Sequence, residues 1–423
     1  DSDPVGVTAA KAFVLACKAP ISDSEEPWQD GLHQRRPKAC RWARAGPFRY
    51  AKDMASMHGH AHGGHAAPRD YSQTPLNVYW EVTRACDLAC RHCRASAMST
   101  ADPEELTFAE GVCLLRQIRE FGDPAPTLIL TGGDPLKRSD LYDLMDEAHK
   151  LGIEVSITPA ATGALTRDVL VELQAHGATG LGLSLDGSSA ERHDSIRGVP
   201  GTFDRTMEAI GFAGELNFPL QVNTLVSEET APDLPAIYDL LKQYKLARWS
   251  LFFLISVGRG KVLQPLSAEQ AEQLMNWVYE IAATAPFTVA TTEAPSYRRI
   301  ALDRMRAEGR SGEAIKRSPA YRSFGIRDGH GVVFVSQTGE ICPAGFLPVA
   351  AGNIRHDRLA EVYRHSELFQ ALHDPSQWDD RCGLCEYHAI CGGSRARAYA
   401  ATNDPLAADP LCLYQPYHAP KAT

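Results

Sequence analysis

From about residue 76 the chain alternates short apolar runs with segments whose apolar positions recur every three or four residues. The two periods mark strands and helices. Leu76–Thr83 reads as a strand, and Thr107 caps a helix on which Phe108, Val112, Leu115 and Ile118 share a face. Thr127–Leu130 is a short buried strand running into Gly132 and Gly133; Ser139 caps the next helix, and Ile153–Thr158 is a third strand. Thr166 opens a helix that stops at Gly177, Gly180–Leu185 is a fourth strand, and a helix covers Thr202–Leu216. Leu220–Val226 follows Pro219 as a fifth strand, and Leu234, Ile237, Leu241 and Tyr244 line the helix after it. Arg248–Ile255 is a sixth strand. Ser267 and Gln270 form a capping box for a helix carrying Leu274, Val278 and Ile281.

Six strand–helix units in a row predict an α/β fold with parallel strands and right-handed crossovers. Six are few for a closed eight-stranded barrel, so an open, partial (β/α)6 barrel is expected over residues 75–289. Chemistry in such barrels gathers at the C-terminal ends of the strands. Residues 290–325 read as a helical linker, Val332–Ser336 and Glu340–Cys342 as a hairpin turning at Thr338-Gly339, and Leu359–Leu372 as a helix before a cysteine-rich tail. Residues 290–423 are thus expected to form a second, small domain. Residues 1–74 show no period and are expected to be disordered or non-native sequence; the chain opens on Asp1, and Met54 and Met57 are candidate starts. This stretch carries the tract His58, His60, His62, His65, read as a tail with incidental metal affinity.

Length and charge narrow the classes. The 423 residues suggest two or three units, and 44 % hydrophobic with 22 % charged residues is ordinary globular composition. A net charge of −9 gives no basic field for nucleic acid, and no apolar run is long enough to span a bilayer. Of the 11 cysteines, eight fall in two tracts, 86–93 and 342–412, and such clustering favours metal or cluster ligation over disulfides. Cys113 falls in a helical pattern and reads as a small buried hydrophobe.

The first tract is Cys86-Asp-Leu-Ala-Cys90-Arg-His-Cys93. Three thiolates can hold three irons of a [4Fe–4S] cube and leave the fourth open to a ligand. A zinc site or three unrelated thiols are the alternatives, and the position just after the first strand of a βα series favours the cluster. The second tract places Cys382, Cys385, Cys391 and Cys412 in reach of one centre, either a fully ligated cluster or a structural zinc.

The run from Trp80 to Ala97 resembles the radical S-adenosylmethionine (SAM) superfamily. The resemblance implies that Cys86, Cys90 and Cys93 carry a SAM-binding [4Fe–4S] cluster, whose reduction cleaves SAM to a hydrogen-abstracting 5′-deoxyadenosyl radical. Gly132-Gly133-Asp134 is similar to the family's Gly-Gly-Glu motif at the SAM amino group, with a shorter carboxylate here. Ser184 and Arg197 match positions near the SAM ribose and carboxylate, and Asn223 with Thr224 are further candidates for cofactor contact. The C-terminal tract resembles the SPASM/twitch-like iron–sulfur extension, marked by Gly339–Cys342, Gly352–Ile354 and Cys382–Gly393. That resemblance implies a second [4Fe–4S] cluster on Cys382, Cys385, Cys391 and Cys412. Arg395 stands where the family's inner cluster takes a cysteine, which leaves Cys342 without an assigned role.

The same run looks most like radical SAM proteins of haem and haem d1 biosynthesis, implying oxidative modification of a tetrapyrrole side chain. Arg259, Arg298 and Arg299 are then candidates for pairing propionates. Maturation of a ribosomally made peptide is the alternative, and a non-catalytic electron carrier a remote one. Low-potential clusters imply a cytoplasmic, low-oxygen setting and a flavodoxin- or ferredoxin-like electron donor.

Overall fold

The computed structural model describes residues 69–322 and 325–417; the histidine tract and the other expectations for 1–68 lie outside the described residues. Seven strands run parallel in sequence order: β1 (Asn77–Glu81), β2 (Thr127–Thr131), β3 (Val155–Ile157), β4 (Ala178–Ser184), β5 (Leu220–Val226), β6 (Arg248–Phe253) and β7 (Thr288–Thr292). The helices between them include α1 (Phe108–Arg119), α2 (Leu141–Lys150), α3 (Arg167–Ala175), α4 (Ala190–Arg197), α5 (Thr202–Glu215), α6 (Leu234–Leu241) and α7 (Ala268–Ala282). On the other edge of β1, β8 (Val332–Val335) pairs in parallel, and β9 (Glu340–Cys342) and β10 (Gly352–Asn353) extend the sheet antiparallel. The order β10-β9-β8-β1-β2-β3-β4-β5-β6-β7 leaves the barrel open, with β7 and β10 as its edges.

Several features depart from the sequence reading. A seventh parallel strand follows the expected six, and β7 runs across residue 289. Its sequence Thr-Val-Ala-Thr-Thr offers one bulky apolar residue, so no apolar run announced it. The hairpin of β8 and β9 forms as expected, but β8 also joins the barrel sheet through β1, a pairing with no local signal. α4 was also missed, because it buries only His193 and Ile196 and shows no apolar stripe. α2 starts one residue later than expected, with Asp140 at its N-cap position and no side-chain capping bond. α1 carries the capping box of Thr107 and Glu110, yet Phe108 is exposed and the buried face runs through Leu114, Leu115 and Ile118. No described helix is long and apolar enough to cross a membrane.

The strands alternate between two faces, apart from one register irregularity between β3 and β4 at Val155 and Ser156. Outward residues are large and buried against the helices: Trp80 reaches Gly111 of α1 and Leu144 of α2, and Trp249 stacks on Tyr238 of α6 at 5.9 Å. Many inward residues are small or polar, including Ser156, Gly180, Gly182, Asn223, Ser250 and Thr292, beside the larger Tyr79, Ile129 and Phe252. Packed (β/α) barrels fill that space with branched apolar side chains. Here the inward side chains leave a polar lumen instead.

Candidate active site

The chain leaves β1 into a loop that closes on itself: the Cys86 N–H donates to the Met98 carbonyl (2.7 Å) and the Met98 N–H to the Arg84 carbonyl (2.9 Å). Within it Cys86, Cys90 and Cys93 pack in one patch with Leu88 and Ala97. Each thiol faces an N–H donor: Leu88 N to Cys86 Sγ (3.3 Å), Ala97 N to Cys93 Sγ (3.4 Å), and Arg197 Nη1 to Cys90 Sγ (3.7 Å). Burial pushes the Cys86 thiol up to about 11. Donors aimed at sulfur favour the thiolate that iron binding requires.

Three neighbouring segments clamp this loop through backbone contacts. The Gly133 N–H donates to Thr83 O (2.8 Å) and the Asp134 N–H to Ala85 O (2.7 Å). A Cβ on Gly133 would lie 2.6 Å from Arg84 O and collide with Ala85 O as well, so the turn after β2 docks only as glycine. After β6, the Arg259 N–H donates to Cys93 O (3.0 Å), and Gly258, at φ +53°, leaves no room for a Cβ, which would sit 2.6 Å from Cys93 O. The third clamp is the Arg91 N–H on Ile196 O of α4 (2.9 Å). The glycines therefore serve protein–protein backbone contact at the cysteine loop, which a bare Gly-Gly pattern does not reveal.

Asp134 points away from the lumen. Its carboxylate is fully buried and accepts from Leu136 N (3.2 Å), Ala160 N (3.3 Å) and Thr162 Oγ1 (3.4 Å). Burial holds its carboxyl above the ordinary range. The side chain thus braces the turn, and any contact with a ligand falls to the backbone of Gly132–Asp134.

Arg197 ends α4 beside Cys90, held by Asp186 at 2.7 Å. Asp186, just past β4, also accepts from Leu225 N (2.7 Å) and faces His92 Nε2 at 3.8 Å. Burial alone would raise the Asp186 carboxyl; Arg197 and the two flanking histidines outweigh it and hold the group below its ordinary range. Burial lowers His92 and His193 to about 4, so both are neutral at pH 7, and His193 Nδ1 accepts from the Asp186 N–H (3.0 Å). Asp186 is the positioning residue that motif reasoning left out; its signal was the Ser-Leu-Asp-Gly run at the end of a strand.

Ser184 and Asn223 are register partners on β4 and β5 and share the lumen face. Thr224 points the other way, accepting from Trp249 Nε1 (2.8 Å), and is a core hydroxyl. Arg94 pairs with Glu81 (2.5 Å) and lies 4.6 Å above the Phe334 ring. Arg259 spends one N–H on Ala97 O (3.4 Å), and its buried Nε and Nη2 have no protein partner.

The second tract gathers as well. Cys382, Cys385, Cys391 and Cys412 line one pocket with Arg299 and Arg381. Amide N–H groups of Asp409, Tyr387 and Gly393 approach the sulfurs of Cys382, Cys385 and Cys391, each at 3.4 Å. Cys342 lies apart on β9, buried, its thiol pushed up to about 12 by desolvation. Arg395 is a buried brace: it donates to Pro405 O and Ala407 O and lies 4.9 Å above the Trp378 ring.

A model of the radical SAM superfamily matches residues 80–241. An AdoMet-dependent heme synthase of Oleidesulfovibrio alaskensis is 38 % identical over 347 residues, covering 82 % of this chain and 89 % of its own. The chain belongs to the radical SAM superfamily. It is an enzyme, and its family implies a [4Fe–4S] cluster and SAM. A PqqA peptide cyclase of Rhizobium meliloti also matches, at 26 % identity over 81 % of this chain and 88 % of its own. Among solved structures, Streptococcus suis SuiB bound to S-adenosylmethionine superposes with a TM-score of 0.62 at 18 % identity, covering 81 % of this chain and 78 % of that one. This last likeness bears on the fold alone.

The residues present fit the family's cofactors. Three thiols in one patch, each with an N–H donor, suit a cluster with one open iron. The buried Nε of Arg197 and the free nitrogens of Arg259, close to that patch, suit an anionic group bound beside it.

Proposed function

We propose that this radical SAM enzyme acts on a carboxylate-bearing side chain of a tetrapyrrole. The observation that carries the reading is the 38 % identity to a heme synthase along nearly the whole described chain, set against 26 % to a peptide cyclase. Cys86, Cys90 and Cys93 hold the SAM-binding cluster; the backbone of Gly132, Gly133 and Asp134, with Ser184, Asn223 and Arg197, receives SAM. Bound there, cluster and SAM supply a 5′-deoxyadenosyl radical that takes a hydrogen from the substrate. The protein's part is orientation and shielding: Asp186 fixes Arg197, the glycine clamps fix the cysteine loop, and the lumen excludes bulk water. The barrel and the C-terminal iron–sulfur region act as two functional domains, and a flavodoxin- or ferredoxin-like donor in a low-oxygen cytoplasm supplies the electrons.

Cys382, Cys385, Cys391 and Cys412 hold a second [4Fe–4S] cluster in this reading. The four thiols surround one pocket, the arrangement a cube on four thiolates takes. Reconstituted protein is expected to hold about eight irons, falling to about four when Cys382 and Cys385 are both replaced by alanine. Iron that stays near its starting content, or zinc at this site, would contradict the assignment.

The substrate is tested by adding iron coproporphyrin III or a candidate precursor peptide to the reduced enzyme with SAM. The porphyrin should raise the yield of 5′-deoxyadenosine and be consumed in step with it. A yield raised by the peptide and not by the porphyrin would replace this reading with peptide maturation.

A further inference from the structure

The arginines first considered for propionates are not all available. Arg299 forms a two-pronged pair with Glu272 (2.7 and 2.6 Å) and lines the second cysteine pocket, and Arg298 donates to Ile390 O beside Cys391 (3.1 Å). A different arginine faces the lumen. On β6, Trp249, Leu251 and Phe253 are packed outward in the core, which turns Arg248, Ser250 and Phe252 inward.

Strand register gives its depth. Ser184, Asn223, Ser250 and Ala290 form one inward layer, and Gly182, Gln221, Arg248 and Thr288 form the layer beneath it. Two residues of strand separate the layers, about 6.6 Å. Arg248 therefore lies one layer below the side chains assigned to SAM, between a glutamine amide and a threonine hydroxyl.

Its electrostatics are unbalanced. No described residue makes a hydrogen bond or ion pair with Arg248, whereas every other charge on this part of the lumen is answered. Glu81 is paired with Arg94, and Glu293, just past β7, accepts from Ser394 Oγ (2.6 Å) and is pushed well above the ordinary carboxylate range by burial and by the nearby Asp328. Surrounding protein desolvates Arg248 and lowers it from its ordinary value, against the pull of the nearby Tyr79 phenol. The residue is partly buried and keeps some accessible surface. A desolvated guanidinium without an anion is costly and suits an incoming carboxylate. Gly182 of β4 stands level with Arg248 in the strand register and puts no side chain of its own into that layer.

We propose that Arg248, flanked by Gln221 and Thr288, binds a substrate carboxylate at the floor of the lumen and so sets which arm of the substrate lies under SAM. The inference rests on the tetrapyrrole reading, in which the substrate carries several carboxylate arms. It adds that one arm which does not react serves as the anchor.

The test titrates reconstituted holoenzyme, without oxygen, with iron coproporphyrin III and with its tetramethyl ester, following the porphyrin absorption band. Arg248→Gln is expected to weaken binding of the tetra-acid by about tenfold to a hundredfold, the worth of a charge-assisted hydrogen bond. Arg248→Lys should recover part of that loss, and the uncharged ester should bind wild type and Arg248→Gln equally. A fold defect would weaken acid and ester alike. Wild type that binds the tetra-acid while Arg248→Gln matches it, or loses acid and ester together, overturns the anchor and leaves the tetrapyrrole reading standing. Wild type that binds neither porphyrin overturns that reading, and the anchor with it.

Discussion

Gly133→Val is expected to strip the SAM-binding cluster from the protein. The valine Cβ would lie 2.6 Å from Arg84 O and collide with Ala85 O, both backbone atoms that cannot swing aside as a side chain can. The turn would have to retreat, breaking the bonds from Gly133 N to Thr83 O and from Asp134 N to Ala85 O that seat the cysteine loop. A shift of about 1 Å at such a site costs about a hundredfold in rate. Iron content and the cluster absorption near the visible edge should fall together with SAM cleavage, while the second cluster remains. A Gly133→Val protein that loads both clusters would show that the turn does not position the loop.

Asp186→Asn should have the next largest effect. The amide keeps the shape but removes the charge that holds Arg197 at 2.7 Å. It leaves a buried guanidinium beside Cys90 without its anion, a change that costs about 3–5 kcal/mol in comparable buried pairs. Urea unfolding at pH 7 should show a loss of that size, and the KM for SAM should rise because Arg197 is no longer aimed. The dependence on pH follows from sign. The folded Asp186 carboxyl titrates below its unfolded value, so its stabilisation is present above the unfolded value and fades as pH falls through the folded one. Wild type and Asp186→Asn should therefore converge in stability in acid. A gap that stayed constant down through acid would refute the ion-pair account.

The barrel was legible because its outward residues repeat: Trp80, Leu130, Leu183, Val222 and Leu251 fall on the apolar half of each strand. Both cysteine tracts were legible because thiols at short spacing have few other uses. What escaped was long-range or lacked apolar contrast. β7 faces the lumen with Thr288, Ala290 and Thr292, and α4 has no apolar stripe, so periodicity saw neither. The pairing of β8 with β1 joins residues some 250 apart in sequence, beyond any local signal. Asp134 matches the motif position at the SAM amino group with a shorter carboxylate, and its side chain accepts from Leu136, Ala160 and Thr162, contacts that motif position alone does not reveal. Arg248 drew no notice because an arginine at the start of a strand reads as surface, and only the register shows it on the inner face.

The central claim is that Cys86, Cys90 and Cys93 hold a cluster that cleaves SAM. The most direct test is to quantify 5′-deoxyadenosine from anaerobically reconstituted, reduced protein given SAM, beside a Cys93→Ala control. The account predicts product from the wild type and none above background from the control. A wild-type protein shown to hold its clusters but making no product, or a control making as much as the wild type, would contradict it.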